Sequence, residues 1–323
     1  MRTSRRILVA VAALLLALGA LAIAAVASDP YRLVRLEFAR QRLAAHLERR
    51  SVAVDDHTWV YAASDAAPPD APTLVLVHGF TGSKENWYPL ARLLRGRYRL
   101  LIPDLPGWGE STRRAGADYG YAAQAQRLAR FIETVAGDRP VVLVGHSMGG
   151  GIAALAAARF PGHVRRLVLI DAAGVPFRDN AFGRAVLAGR NPFEVRDVAS
   201  LQAYLDIVFG DPAARPRIPW PARGGFIAFR RAQAPFEQRV LDRIGRGEGR
   251  FLPGEAATDI RQPTLLLWCE RDRVIDPSAM ALYAERIPQS RRVLLGGCGH
   301  MAMMERPADV AAALDMLIRE SAP

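Results

Sequence analysis

Residues 141–151 read Val-Val-Leu-Val-Gly-His-Ser-Met-Gly-Gly-Gly, and an Ala/Leu-rich helical pattern continues to Phe160. A serine that projects from a sharp strand-to-helix turn needs neighbours with almost no side chain. Gly145 and Gly149 meet that need, and Gly150 and Gly151 extend it. The same turn sets Ser147 at a helix N-terminus, where free N–H groups can stabilise an oxyanion. A buried strand feeding a helix in this way constrains the fold class more than any other stretch of the chain.

The remaining segments repeat that unit. Short strands are predicted at His57–Tyr61, Thr73–Val77, Tyr98–Ile102, Val141–Val144, Arg166–Ile170, Thr264–Trp268 and Arg292–Leu295. Helices are predicted at Tyr119–Ala136, Ser147–Phe160, Ser278–Ile287 and Pro307–Glu320, and Ala66–Pro72 is predicted as a loop. Apolar strands alternating with helices imply an α/β fold, a mainly parallel twisted sheet with helices on both faces. Ligands in such sheets bind outside the carboxyl ends of the strands. A chain of 323 residues fits one such domain with an insertion.

The insertion runs from about Val175 to Thr258. It has helical patches at Ser200–Phe209 and Gln238–Ile244, and a Pro-rich break at Pro212–Pro221. It is predicted to be a helical cap over the active end of the sheet. Its many large apolar residues, Phe177, Phe182, Phe193, Leu201, Tyr204, Ile207, Val208, Phe209, Trp220, Phe226 and Phe229, exceed what a solvated loop carries. Most are expected to form the cap's own core, and some to line a pocket for an acyl chain.

Serine is a weak nucleophile at neutral pH and needs a general base held by an acid. After a serine on this kind of turn, the acid and then the histidine follow in chain order. His300 sits in Gly296-Gly297-Cys298-Gly299-His300, a loop after the last strand, and is alone among six histidines in having the right order and loop. Asp272 follows the Thr264–Trp268 strand and is the expected acid; Asp171, which ends another strand, is its rival. Glu270 is too close to its strand, and Asp276 reads as a turn or helix-capping residue. Two backbone donors are needed for the oxyanion. They are expected from Met148, directly after the serine, and Phe80, in the loop after Thr73–Val77. His78 reads as a structural hydrogen-bonder and Asp104 as a loop-organising carboxylate.

The net charge of +11 is uneven, with nine Arg against three carboxylates in the first fifty residues. No nucleic-acid-binding signature accompanies it; a basic N-terminal segment suits a negatively charged membrane surface. Arg2, Arg5 and Arg6 precede an apolar run from Ile7 to Ala27, long enough to span a bilayer. A retained membrane anchor is the favoured reading. Cleavage after Ala25-Val26-Ala27, giving a secreted or periplasmic product, is the alternative. Arg flanks both ends, so charge leaves the orientation open. Leu33, Leu36, Leu43 and Leu47 then recur at helical spacing, either as an interfacial helix or as a connecting helix packed on the domain. The two cysteines, Cys269 and Cys298, follow consecutive strands and are expected to be buried thiols, with a disulfide as the alternative.

His78-Gly79-Phe80-Thr81-Gly82-Ser83-Lys84-Glu85-Asn86-Trp87, Gly145-His146-Ser147-Met148-Gly149, and Cys298-Gly299-His300 through Met304-Glu305-Arg306-Pro307 resemble the α/β-hydrolase superfamily. Within it the chain is most similar to the membrane-anchored monoacylglycerol lipases of the α/β-hydrolase-domain group and related bacterial lipases. The resemblance covers roughly residues 55–320. It implies Ser147, Asp272 and His300 as a catalytic triad, Phe80 and Met148 as the oxyanion hole, and a single-chain lipid ester as substrate. No cofactor, no metal and no nucleic-acid partner is expected. A carbon–carbon bond hydrolase, amidase or peptidase on the same fold is the alternative, although their mostly soluble substrates leave an anchor with little purpose. A non-catalytic binding protein would be signalled by loss of the Ser, Asp or His, and all are present. The expected division is 1–28 anchor or signal segment, 29–50 amphipathic connecting helix, 51–174 hydrolase core, 175–258 helical cap, and 259–323 the second part of the core.

Overall fold

The structure, a computed structural model, describes residues 2–64 and 67–319. Ala66 of the predicted loop and Glu320 of the last predicted helix lie outside the described residues. One sheet contains β1 (Glu48–Val54), β2 (His57–Ser64), β3 (Thr73–Val77), β4 (Arg99–Pro103), β5 (Val141–His146), β6 (Val164–Ile170), β7 (Thr264–Cys269) and β8 (Arg291–Leu295). Their spatial order is β1-β2-β4-β3-β5-β6-β7-β8, antiparallel at β1/β2 and β2/β4 and parallel elsewhere. The helices are α1 (Arg2–Ser28), α2 (Tyr31–Ala44), α3 (Tyr88–Leu94), α4 (Tyr121–Ala136), α5 (Met148–Arg159), α6 (Ala181–Leu187), α7 (Val198–Val208), α8 (Ala222–Arg246), α9 (Leu252–Ala256), α10 (Ser278–Arg286), α11 (Ala302–Glu305) and α12 (Pro307–Arg319).

Every residue of β5 and β7 is buried, which is why their sequences are continuous apolar runs rather than alternating ones. From β3 the chain first adds β4 on one side and then β5 on the other. The crevice where strand order reverses therefore lies between the carboxyl ends of β3 and β5, at His78 and Ser147.

Two features depart from the expected layout. The predicted helix over residues 29–50 stops at Ala44. His46 takes a left-handed turn (φ 54°), and Glu48–Arg50 pair as the start of β1 with Ala63–Tyr61 of β2. This is an edge strand with an exposed outer face, so its charged sequence carries no strand signal of its own. In the cap, α8 extends for 25 residues, although the sequence pattern marks only its last part. Gly224, Gly225 and Pro235 mask it, and tertiary packing overrides their poor propensity. Helices α6 to α9 all lie between β6 and β7.

Helix α1 is long and apolar enough to cross a membrane, and none of its apolar window is buried against the rest of the chain. Helix α2 connects it to the domain. Its Tyr31 ring stacks on Phe229 of α8 at 4.5 Å, and its last turn receives Arg95 Nη1 at Ala44 O, 3.3 Å. Leu36 and Leu43 stay exposed on the outer face, whereas Leu47 is buried beyond the helix end.

Ser147 has φ 54° and ψ −122°, a conformation costly for a side-chain-bearing residue. The turn survives because helix α5 can lie against β3 and β5. A Cβ on Gly149 would stand 2.6 Å from Val77 O and closer still to His78 O. Gly149→Ala is therefore expected to destabilise the fold by about 1–3 kcal/mol through overpacking. Gly162→Ala, which points into open space, is expected to change it by no more than about 0.5 kcal/mol. Urea denaturation of the two variants side by side checks this.

Candidate active site

Three loops at the carboxyl end of the sheet converge. Ser147 Oγ lies 2.8 Å from His300 Nε2, and His300 Nδ1 lies 2.8 Å from Asp272 Oδ2. All three residues are buried. The other Asp272 oxygen accepts the backbone N–H groups of Val274 (2.7 Å) and Ile275 (3.1 Å), which fixes the carboxylate from behind. With Nδ1–H donated to the carboxylate, Nε2 is left to accept the serine proton. The chain Ser147–His300–Asp272 is thus wired in the direction that general-base activation of a hydroxyl requires.

Phe80 and Met148 line the same cavity as Ser147. Among the described residues neither backbone N–H has a hydrogen-bond acceptor. Met148 opens α5, where helical N–H groups have no internal partner. The Phe80 N–H is aimed by His78. Leu105 N–H donates to His78 Nε2 (3.0 Å), so the ring proton is on Nδ1, which donates to Gly79 O (2.8 Å). That bond holds the carbonyl end of the Gly79–Phe80 peptide and turns its N–H end the opposite way. Burial pushes His78 down to about 4, which keeps the ring neutral as this wiring needs.

Other groups were not assigned roles from the sequence. His146 Nε2 donates to His300 O (2.6 Å) across the crevice, and burial drives its ring well below the ordinary histidine range. Glu305 Oε1 accepts Gly299 N–H (2.9 Å) and Met301 N–H (3.2 Å), bracketing His300, while Oε2 accepts Asp211 N–H of the cap (2.7 Å). Cys269 and Cys298 form a disulfide with Cα atoms 5.3 Å apart. The expectation of two free thiols is thereby corrected: parallel pairing sets Cys269 opposite Leu295, and the turn after β8 folds Cys298 back onto it. The bridge ties the Asp272 loop to the His300 loop. Only spatial adjacency of β7 and β8, invisible in a single sequence, decides between thiols and disulfide.

Asp171, the rival acid, is not bonded to the imidazole. Its Oδ1 accepts Cys269 N–H at 2.9 Å, and its side chain lies beside Asp272. Burial, and then the negative charge of Asp272, raise Asp171 well above the ordinary carboxylate range. Two ionised carboxylates here would leave Asp171 Oδ2 without a partner. A protonated Asp171 would instead present a donor to Asp272.

An open cavity leads from Ser147. Phe177, Phe182 and Phe193 of the cap line it as expected, together with Val186, Leu241 and Ile244. Leu201 instead joins Val195 and Ile227 in a small core of the cap's own, packed with Tyr204 and Phe226.

Residues 74–313 match the alpha/beta hydrolase family. The chain belongs to that family. It is 27% identical over 300 residues to monoacylglycerol lipase ABHD6 of Bos taurus, spanning 88% of this chain and 86% of that one. It is 31% identical over 280 residues to Lipase 3 of Moraxella sp. (strain TA144), with 84% of each covered. The crystal structure of a membrane phospholipase A, described as a bacterial virulence factor, superposes with a TM-score of 0.83 at 35% identity, covering 98% of this chain and 100% of that one. The hydrolase thus resembles lipases in sequence and a membrane phospholipase A in fold.

Asp171→Asn is expected to be tolerated, because an amide keeps the acceptor for Cys269 N–H and supplies a neutral donor to Asp272. Asp171→Leu leaves that N–H unpaired and is expected to cost about 1–3 kcal/mol. If urea denaturation finds Asn as damaging as Leu, Asp171 is ionised rather than neutral.

Proposed function

We propose that this serine ester hydrolase cleaves single-chain lipid esters such as monoacylglycerols through an acyl-enzyme intermediate. The observation that carries the reading is the hydrogen-bonded chain Ser147–His300–Asp272 opening onto an apolar cavity. His300 takes the Ser147 proton as Oγ attacks the ester carbonyl, and Asp272 stabilises the imidazolium that forms. The Phe80 and Met148 N–H groups receive the oxyanion. The intermediate collapses as His300 returns the proton to the leaving alcohol, and water then releases the fatty acid by the same steps in reverse order. The acyl chain lies along Phe177, Phe182 and Phe193.

A second reading, an acyl ester of a phospholipid, is favoured by one observation: the aligned solved structure covering 98% of this chain is a membrane phospholipase A. Ser147→Ala is expected to abolish both turnover and fluorophosphonate labelling, and Asp272→Asn to lower kcat by about 10⁴-fold, since the imidazole then loses its anchored tautomer. Labelling that survives the serine change would overturn the site assignment. A panel of monoacylglycerols, lysophospholipids, phospholipids and soluble esters of graded chain length separates the two substrates.

The reading extends to location. The apolar helix Ile7–Ala27 is retained as a single anchor, with residues 175–258 forming the cap. The disulfide supports a catalytic domain on an oxidising side of the membrane, a question that flanking charge leaves open. The full chain is expected to stay with membranes through carbonate washing and to show no free thiol when denatured without reductant. A soluble product beginning at Ser28 would show cleavage instead, and two free thiols in natively isolated protein would reverse the topology.

A further inference from the structure

We propose that the N-terminal end of α8, with Trp220 at its tip, is a second membrane contact that seats the cap on the bilayer beside the spanning helix. This rests on the reading of Ile7–Ala27 as a retained anchor. Helix α1 ends at Ser28 and α2 begins at Tyr31. At that junction the backbone of Pro30 and Tyr31 lies directly on Gly225 of α8, so close that a Cβ there would stand 2.6 Å from Pro30 C. One turn further on, Phe229 stacks under the Tyr31 ring.

Trp220 lies five residues before Gly225, just outside the first turn of α8. It is therefore held within a few residues of the point where the chain passes from α1 into α2.

The residue types fit a membrane interface. Trp220 is 82% exposed, whereas the other four tryptophans are buried. An indole prefers the interface, where its ring is in contact with lipid and its N–H with water. Arg217 and Arg223, both exposed, flank it, and no carboxylate occurs between Pro212 and Phe236. Such a segment is attracted to anionic headgroups. With the cap seated this way, α8 spans from the lipid surface to the wall of the acyl cavity.

Because Trp220 alone among the tryptophans is exposed, its emission can be followed in the full chain. The chain is reconstituted into vesicles of mixed neutral and anionic phospholipid, with and without lipids brominated at the headgroup end of their chains. The expected result is loss of the red-shifted emission in brominated vesicles, little quenching by aqueous iodide, and no red-shifted component in Trp220→Phe. Emission quenched by iodide and untouched by brominated lipid, in protein that floats with the vesicles, overturns the proposal while leaving the anchor in place. Protein that fails to float overturns both.

Discussion

The architecture of the site depends on one turn. Ser147 holds a left-handed backbone so that its hydroxyl leaves the sheet edge while β5 passes directly into α5. That turn closes only because Gly145 and Gly149 let the strand, the helix and the β3 loop share a space without side chains. The same closeness brings the unpaired N–H groups at the start of α5 beside the Gly79–Phe80 peptide. The projecting hydroxyl and the unpaired N–H groups beside it are therefore consequences of a single packing constraint, not separate inventions. A parallel sheet supplies the rest, because it delivers every strand's carboxyl end to one rim.

Around the turn, neutral and charged groups are sorted by what burial permits. Two histidines beside the serine are kept uncharged, and each then serves as a directional hydrogen-bond bridge: His78 within its own loop, His146 across to the His300 carbonyl. Charge is admitted where partners are dense. Lys84, the only lysine of the chain, is buried against Asp104 (2.7 Å), Glu110 (2.8 Å) and Glu85 (2.9 Å). Burial opposes its charge, yet Asp104 and Glu85 hold it ionised, above the ordinary lysine range. Asp104 also accepts Lys84 N–H and Glu110 N–H, so one carboxylate ties the loop after β3 to the loop after β4. Breaking such a pair leaves an uncompensated buried charge, which makes the cluster a rigid clamp whatever its net contribution to stability.

What the sequence makes legible follows from the range of the interactions. The elbow, the buried strands and the loop positions of Asp272 and His300 rest on local pattern and chain order, and those are visible residue by residue. Strand β1, the bridging of Cys269 and Cys298, and the brace provided by Glu305 rest on which segments become neighbours, and chain order does not state that. Asp171 and Asp272 are alike as sequence, each an aspartate ending a strand. They differ in which one meets the imidazole, which depends on the loop after β7 reaching across to His300. Helix α8 was obscured for a related reason: the glycine that weakens its local pattern is the one that lets α2 cross it.

The cap is joined to the chemistry rather than simply placed above it. Gly210 packs against the backbone of Gly299, so that a Cβ on it would stand 2.5 Å from Gly299 N. Glu305 binds the Asp211 N–H with one oxygen and brackets His300 with the other. Swinging the cap away as a rigid body would break that bond and disturb the His300 loop. The cavity also reaches the surface: Leu187 lines it yet is 53% exposed, and Asp179, which also lines it, is exposed. The contacts of Gly210 and Glu305 keep the His300 loop fastened to the cap.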